Sequence, residues 1–119
     1  MKKILLVEDE EDLVETGSFF LQSAGYDVCV ARDGLSAMEA IYDKKPDLIV
    51  LDIALPEMDG YQVCRMVKNS PLYKDIPIIM LTAKTLKADK FRGIETGADK
   101  YITKPYSPEE LLSTVSELL

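Results

Sequence analysis

Apolar residues fall along this chain in five short runs, each followed by a stretch with helical spacing. The central run, Leu48-Ile49-Val50-Leu51, is unbroken and ends on Asp52, the pattern of a strand buried on both faces of a parallel sheet. Ile4 to Val7 is a similar run closing on Glu8-Asp9, and Asp27 to Ala31 reads as a second strand. Ile76 to Thr82 is a fourth, with Pro77 tolerable only at its entrance, and Lys100 to Thr103 is a short fifth. The first intervening helix is predicted from about Glu10 to Ala24, with Leu13, Thr16, Gly17, Phe20 and Ala24 on one stripe and Gly25 placed to end it. Asp33-Gly34 turns into a second, carrying Ala37, Met38 and Ile41. Pro56 and Asp59-Gly60 turn into a third, with Asp59 or Gly60 near its N-cap. Val63, Cys64 and Val67 lie at helical spacing there, and the helix stops near Asn69-Ser70-Pro71. A helix over about 86–96 has only Leu86, Phe91 and Ile94 as large anchors, so it is expected to be the loosest element. Ser107-Pro108-Glu109-Glu110 opens the last helix with an N-cap serine, proline at the first position and a capping-box glutamate.

Five strands alternating with five helices, (βα)5, joined by right-handed crossovers, predict a three-layer α/β sandwich around a parallel sheet. With 119 residues and no repeat, low-complexity stretch or linker, positions 1–119 read as a single domain. The last helix runs to Leu119 without a glycine cap; the fold is expected to be complete there, and the natural chain could continue.

Composition narrows the function. A net charge of −7 argues against an intrinsic nucleic-acid or anionic-membrane surface and is neutral toward protein partners. No apolar run is long enough to cross a bilayer, and Met1-Lys2-Lys3 leads into a run too short for a signal sequence. Cys29 and Cys64 form no CxxC or zinc spacing and sit in apolar patterns, as expected of reduced core residues in a cytoplasmic protein. The chain has no histidine, which removes catalytic triads, histidine–metal sites and any role as a phosphohistidine carrier.

The remaining chemistry gathers at strand ends. In open α/β sheets the carboxyl ends of the strands face the ligand crevice. Here those ends carry Glu8-Asp9, Asp52, Thr82 and Lys104. If the first and third strands are neighbours, three carboxylates share a small space and repel unless a cation intervenes. An all-oxygen set suits a hard ion that keeps several waters, Mg²⁺ above Ca²⁺. Lys104 adds a fixed positive charge and Thr82 a neutral hydroxyl, and together these groups suit a phosphoryl group. Taken singly, each has a plainer reading. Acidic residues favour any helix N-terminus, which accounts for Glu10, Glu11 and Asp12. Asp52 alone would be a turn aspartate, Thr82 a strand threonine and Lys104-Pro105 a turn. Coincidence at one edge is what argues for a site.

These residues also match a family. The chain resembles the receiver domains of two-component response regulators, similar to the stand-alone chemotaxis type, over essentially all 119 residues. The resemblance rests on Leu6-Val7-Glu8-Asp9, Leu51-Asp52, Pro56-Glu57-Met58-Asp59-Gly60, Leu81-Thr82-Ala83, Gly97-Ala98-Asp99 and Lys104-Pro105 in that order and spacing. It implies a flavodoxin-like sheet of order 2-1-3-4-5 with the site between strands one and three. It further implies that Asp52 takes a phosphoryl group from a sensor histidine kinase or a histidine phosphotransfer protein. Asp9, Asp52 and the carbonyl of Ala54 would bind Mg²⁺ directly, with Glu8 holding a metal-bound water. Lys104 would pair with Asp52 and then with phosphoryl oxygens, across a Lys104-Pro105 bond expected to be cis. Thr82 would turn toward the phosphoryl group and Tyr101 would swing into the space it leaves, although by pattern alone Tyr101 is a half-buried sheet-edge aromatic. Phe19 lies off the core stripe of the first helix and is carried over as a contact for the kinase. The change would be read at the face of the fourth helix, fifth strand and fifth helix, by a separate protein or an attached output domain. The domain would catalyse only its own modification and slow hydrolysis, as a monomer for which dimerisation on phosphorylation stays open.

Two positions depart from the commonest family residues. Glu8 replaces a frequent aspartate, and one more methylene still reaches a metal-bound water. Ala54 and Lys84, two residues after Asp52 and Thr82, lie where the family tunes water access; small Ala54 leaves that approach open, while Lys84 could cover it or recruit a partner. A phosphohydrolase of the haloacid dehalogenase type needs a second aspartate two residues after the first, and Asp52-Ile53-Ala54 has none. A flavin mononucleotide carrier needs a hydroxyl- and glycine-rich loop after the first strand, where Glu8 to Asp12 would repel phosphate. A degenerate receiver that only binds proteins would lack Asp52 or Lys104, and both are present.

Overall fold

The computed structural model describes residues 1–82 and 97–119. Nine elements lie in them: β1 (Lys3–Val7), α1 (Glu11–Ser23), β2 (Asp27–Ala31), α2 (Gly34–Lys44), β3 (Leu48–Asp52), α3 (Gly60–Lys68), β4 (Ile78–Thr82), β5 (Lys100–Thr103) and α4 (Pro108–Leu118). The helix expected over 86–96, with Leu86, Phe91 and Ile94, and the positions Ala83 and Lys84 lie outside the described residues. All strand pairs are parallel, in the order β2-β1-β3-β4-β5. The predicted neighbourhood of the first and third strands is therefore present, with Val7 beside Leu51.

Alternation along the strands divides the core into two layers. Leu5, Val7, Ile49, Leu51, Ile78 and Met80 point to one face, where α2 and α3 supply Ala37, Ile41, Val63, Cys64 and Val67. Ile4, Leu6, Leu48, Val50, Ile79 and Leu81 point to the other, against Leu21 of α1 and Leu111 and Val115 of α4. Both faces of β3 and β4 are covered, which is why their sequences show no polar alternation.

Local signals set the helix starts. Asp33 accepts from Ser36 N–H at the head of α2, and Ser107 accepts from Glu110 N–H at the head of α4, where proline is the first residue. At α3 the Asp59 side chain accepts from Gln62 N–H while Gln62 accepts from Asp59 N–H, a reciprocal box.

Two expectations are corrected. The buried stripe of α1 is Val14, Gly17 and Leu21; of the expected Leu13, Thr16, Gly17, Phe20 and Ala24, only Gly17 is buried. The apolar arc is broad, and contact decides its centre: a Cβ on Gly17 would already lie 3.2 Å from Leu6. Leu13 and Phe20 instead flank an open groove of about 500 Å³ toward Tyr106, Pro108 and Leu111. The fourth strand begins at Ile78 rather than Ile76; Pro77 has no N–H to give but its carbonyl accepts from Ile49 N–H at 3.0 Å.

The start of β5 is fixed by a half-exposed knot of polar contacts. Lys68 Nζ donates to the carbonyls of Lys74 and Ile76 and to Asp99 Oδ2, and the same Asp99 oxygen accepts from Ile78 N–H at 2.8 Å. This pins the entrance of β5 to that of β4 and sets the register that delivers Lys104.

Candidate functional site

β1, β3 and β4 end at one rim, which carries Glu8, directly after β1, with Asp52 and Thr82, the last residues of β3 and β4. All three are buried, at 1%, 3% and 0% exposure, which is expensive for carboxylates without partners. β1 continues its ladder through Glu8, whose N–H donates to Ala31 O at 3.0 Å, so the Glu8 side chain is aimed by the sheet rather than by a loop. Asp9 follows, exposed. Glu8, Asp9 and Asp52 each offer a carboxylate oxygen, and these oxygens lie within 4.8 Å of one another.

Lys104 supplies the positive charge. Its Nζ donates to Asp52 Oδ2 at 2.9 Å and lies 3.1 Å from Glu8 Oε1. Beyond β5 the Lys104-Pro105 peptide is cis, as expected, and Lys104 N–H donates to Thr82 O at 2.7 Å. Asp52 Oδ1 accepts from Ala54 N–H at 3.2 Å. Both oxygens of Asp52 are therefore engaged, one by an ammonium and one by the backbone.

The balance of charge is visible in the proton affinities. Burial, then the hydrogen bond and charge of Asp52, push the Glu8 carboxyl from 4.5 up to about 7, against the opposing pull of Lys104. Burial lowers the Lys104 ammonium, but Asp52 and Glu8 outweigh it and hold its pKa above the ordinary value. One ammonium does not satisfy the carboxylates. Three carboxylates offering oxygens within 4.8 Å of one another form an all-oxygen donor set that fits a divalent cation of the hard class.

A pH dependence follows. Folded Glu8 binds its proton more tightly than the unfolded chain does, so its stabilising contribution is complete below about pH 4.5 and is lost as pH rises through about 7. With a chelator present, Tm is expected to fall from about pH 5 to about pH 8, and Glu8→Gln to flatten that slope. A cation must displace the same proton, so affinity for Mg²⁺ is expected to rise over this interval and level off above it. Thermal melts and Mg²⁺ titrations at several pH values check both.

The remaining expected residues are placed as follows. Thr82 Oγ1 is buried with no partner among the described residues, a hydroxyl kept free of competing bonds at the rim. Tyr101 is half-buried on β5 beside Met80, packed against the α2–α3 layer, as its pattern suggested. Ala54 is exposed. Phe19 is 62% exposed, in edge-to-face contact with Phe20, and it does not line the groove that Phe20 borders.

The sequence reading missed several contacts around these residues. Tyr106 is packed against the α1–α4 layer close enough to the acidic rim that burial and the charge of Glu8 raise its pKa; its place directly after Lys104-Pro105 was the available signal. Ala54, expected only through its carbonyl, donates its N–H to Asp52. Gly60 meets the backbone of Asp52 and Gly34 that of Met58, and nothing short of coordinates shows which glycine has no room for a side chain.

Buried aspartate at the end of β3, paired lysine after β5 and acidic neighbours on β1 at this switch point define a receiver domain. The sequence profile described as "Response regulator receiver domain" matches residues 4–116, and the chain belongs to that family. It is a signalling switch of two-component systems rather than a classical enzyme. Among curated relatives, it is 48% identical over 118 residues to the alkaline phosphatase synthesis transcriptional regulatory protein PhoP of Bacillus subtilis, covering 99% of this chain and 48% of that protein. The chain thus spans about half the length of that relative. Among solved structures, it is similar to the chemotaxis response regulator CheY4 of Vibrio cholerae (TM-score 0.93, 36% identity, 100% of this chain and 99% of that one). It also matches the receiver domain of a sensor histidine kinase from Pseudomonas aeruginosa PAO1 (TM-score 0.91, 32% identity, 98% and 96% coverage), whose structure has a magnesium ion coordinated in the active-site cleft.

Proposed function

We propose that Asp52 is the phosphoryl acceptor of this domain, working with Mg²⁺ held by Asp9, Asp52, the Ala54 carbonyl and, through water, Glu8. The observation that carries this reading is the convergence of Lys104 Nζ on Asp52 and Glu8 within 3.1 Å, beside carboxylate oxygens clustered within 4.8 Å. A carboxylate oxygen of Asp52 attacks phosphorus of a phosphohistidine on a sensor kinase or phosphotransfer protein. The P–N bond breaks, the imidazole leaves with a proton and an acyl phosphate forms. Bound Mg²⁺ supplies charge neutralisation for the transferring oxygens. Lys104 moves from pairing with Asp52 to pairing with phosphoryl oxygen, and it needs only to shift its terminal methylenes to do so. The unpartnered hydroxyl of Thr82 turns to donate to the same group, and Tyr101 follows into the space vacated.

The altered surface is β5 and α4, with the stretch 83–96 that leads into β5, and its reader is a target protein or an attached output domain. Gene-regulatory output in the relative PhoP supports the attached form. The domain itself, at a net charge of −7, is not a nucleic-acid surface. Phe19 on α1 is proposed as a kinase contact. Free Cys29 and Cys64 support a cytoplasmic location, and no helix among the described residues is long and apolar enough to cross a membrane. Self-catalysed modification and slow hydrolysis complete the cycle, since open access at Ala54 admits water.

Intact mass after incubation with Mg²⁺ and a small acyl phosphate tests this. One phosphoryl gain is expected, lost on chelation and absent in Asp52→Asn; an unchanged mass in the wild type would favour a domain that only binds proteins. Thr82→Ala is expected to gain the same mass while the Tyr101 ring resonances no longer respond, which NMR of the phosphorylated sample checks.

A further inference from the structure

Residues 53–59 join β3 to α3 and meet α2 backbone against backbone. Asp52 Oδ1 accepts from Ala54 N–H at 3.2 Å. Two residues on, Pro56 O accepts from Met58 N–H at 2.8 Å and, at 3.5 Å, from Gly34 N–H. Between Pro56 and Met58, Glu57 has φ +71°, the left-handed region that side chains other than glycine rarely adopt. A Cβ on Gly34 would lie 2.3 Å from Met58 O and 2.4 Å from Met58 Cβ. Gly34 is the first residue of α2, and the same turn is closed by Asp33 accepting from Ser36 N–H at 2.7 Å.

We propose that this connection transmits the state of Asp52 to the first turn of α2, giving the domain a second responding surface. The proposal rests on Asp52 being the phosphoryl acceptor. An ionised carboxylate is a stronger acceptor than the carbonyl or bridging oxygen of an acyl phosphate, so phosphorylation weakens the hold of Asp52 on Ala54 N–H. Backbone in a sparsely populated conformation persists only while its surroundings over-determine it. With that hydrogen bond weakened, the turn at Glu57 relaxes and Met58 shifts. Gly34 has no clearance to absorb the shift: displacement toward α2 pushes the helix end, and displacement away breaks the 3.5 Å contact from Gly34 to Pro56. What changes outside is the apolar start of α2, because Leu35, next after Gly34, is 53% exposed.

Residue-resolved amide hydrogen exchange tests this on the full chain with Mg²⁺, with and without a small acyl phosphate, and with intact mass read on the same samples. On phosphorylation the amides of Ala54, Met58, Gly34 and Ser36 are expected to change protection together, by about threefold or more. Glu57→Gly, which removes the backbone constraint, is expected to keep the mass gain and the Ala54 change while losing the response of Gly34 and Ser36. A mass gain with changes confined to residues 53–59 overturns the proposal and leaves the acceptor assignment standing. An undiminished α2 response in Glu57→Gly overturns the route through that turn. Absence of a mass gain in the wild type removes the acceptor assignment, and the proposal with it.

Discussion

Lys104→Met is expected to destabilise the metal-free domain by about 3 kcal/mol at pH 8 and to abolish phosphorylation-dependent change. The side chain is 26% exposed, but its partners are not: the Glu8 and Asp52 side chains are 1% and 5% exposed, with Nζ at 3.1 and 2.9 Å. Removing the ammonium leaves two buried carboxylates facing each other, and that uncompensated charge is the larger part of the cost. Methionine keeps the apolar stem, so packing is largely retained. The loss has a direction with pH. Without Lys104 the Glu8 carboxyl, already pushed up to about 7, rises further and is protonated under mildly acidic conditions. There it donates to Asp52 instead of repelling it, and the destabilisation is expected to shrink to about 1 kcal/mol near pH 5.5. Millimolar Mg²⁺ should recover part of the loss at pH 8, because the ion replaces the missing cation. Urea unfolding at the two pH values, with and without Mg²⁺, checks this; an equal loss at both would mean that the carboxylates do not interact.

Gly60→Ala is expected to cost about 3 kcal/mol or more and to weaken Mg²⁺ binding in whatever fraction folds. A Cβ there would sit 2.4 Å from Asp52 O and 2.7 Å from Ile53 Cα, contacts that no rotamer relieves because both partners are main chain. Gly60 N–H also donates to Ile53 O at 3.0 Å, so the head of α3 and the tip of β3 are in direct contact. Any accommodation must move α3 or the backbone that presents Asp52. Asp59 would still cap the helix, so the helix content of α3 should survive while its packing does not. Denaturant melts with far-UV circular dichroism separate the two, and a loss below about 1 kcal/mol would show that the loop yields more easily than its contacts indicate.

Much of this arrangement could be read from the letters, for reasons that differ by element. β3 and β4 are legible because full burial on two faces demands unbroken apolar runs, and Asp52 stands out because it ends one of them. The caps at Asp33, Asp59 and Ser107 are legible because they are local chemistry within four residues. The core stripe of α1 was misplaced because Leu13, Val14, Gly17, Phe20 and Leu21 fill a broad apolar arc, and only contact with Leu6 selects Val14, Gly17 and Leu21 as its centre. The convergence of Glu8, Asp9 and Asp52 required one inference, that β1 and β3 are neighbours, which parallel crossovers permit but do not impose. Contacts made by shape stayed hidden: the clearance at Gly34 and Gly60, the knot of Lys68 and Asp99, and Tyr106 beside the rim. No hydrophobic period announces these contacts, because each depends on how separate elements approach one another.

The most direct measurement is chemical trapping of the modified residue. After treatment with a small acyl phosphate and Mg²⁺, borohydride reduces an aspartyl phosphate to homoserine, and peptide mass spectrometry locates it. The account predicts reduction at position 52 alone, dependent on Mg²⁺. Reduction at Asp9 or another carboxylate, or an unreduced peptide across β3 from phosphorylated protein, would contradict it.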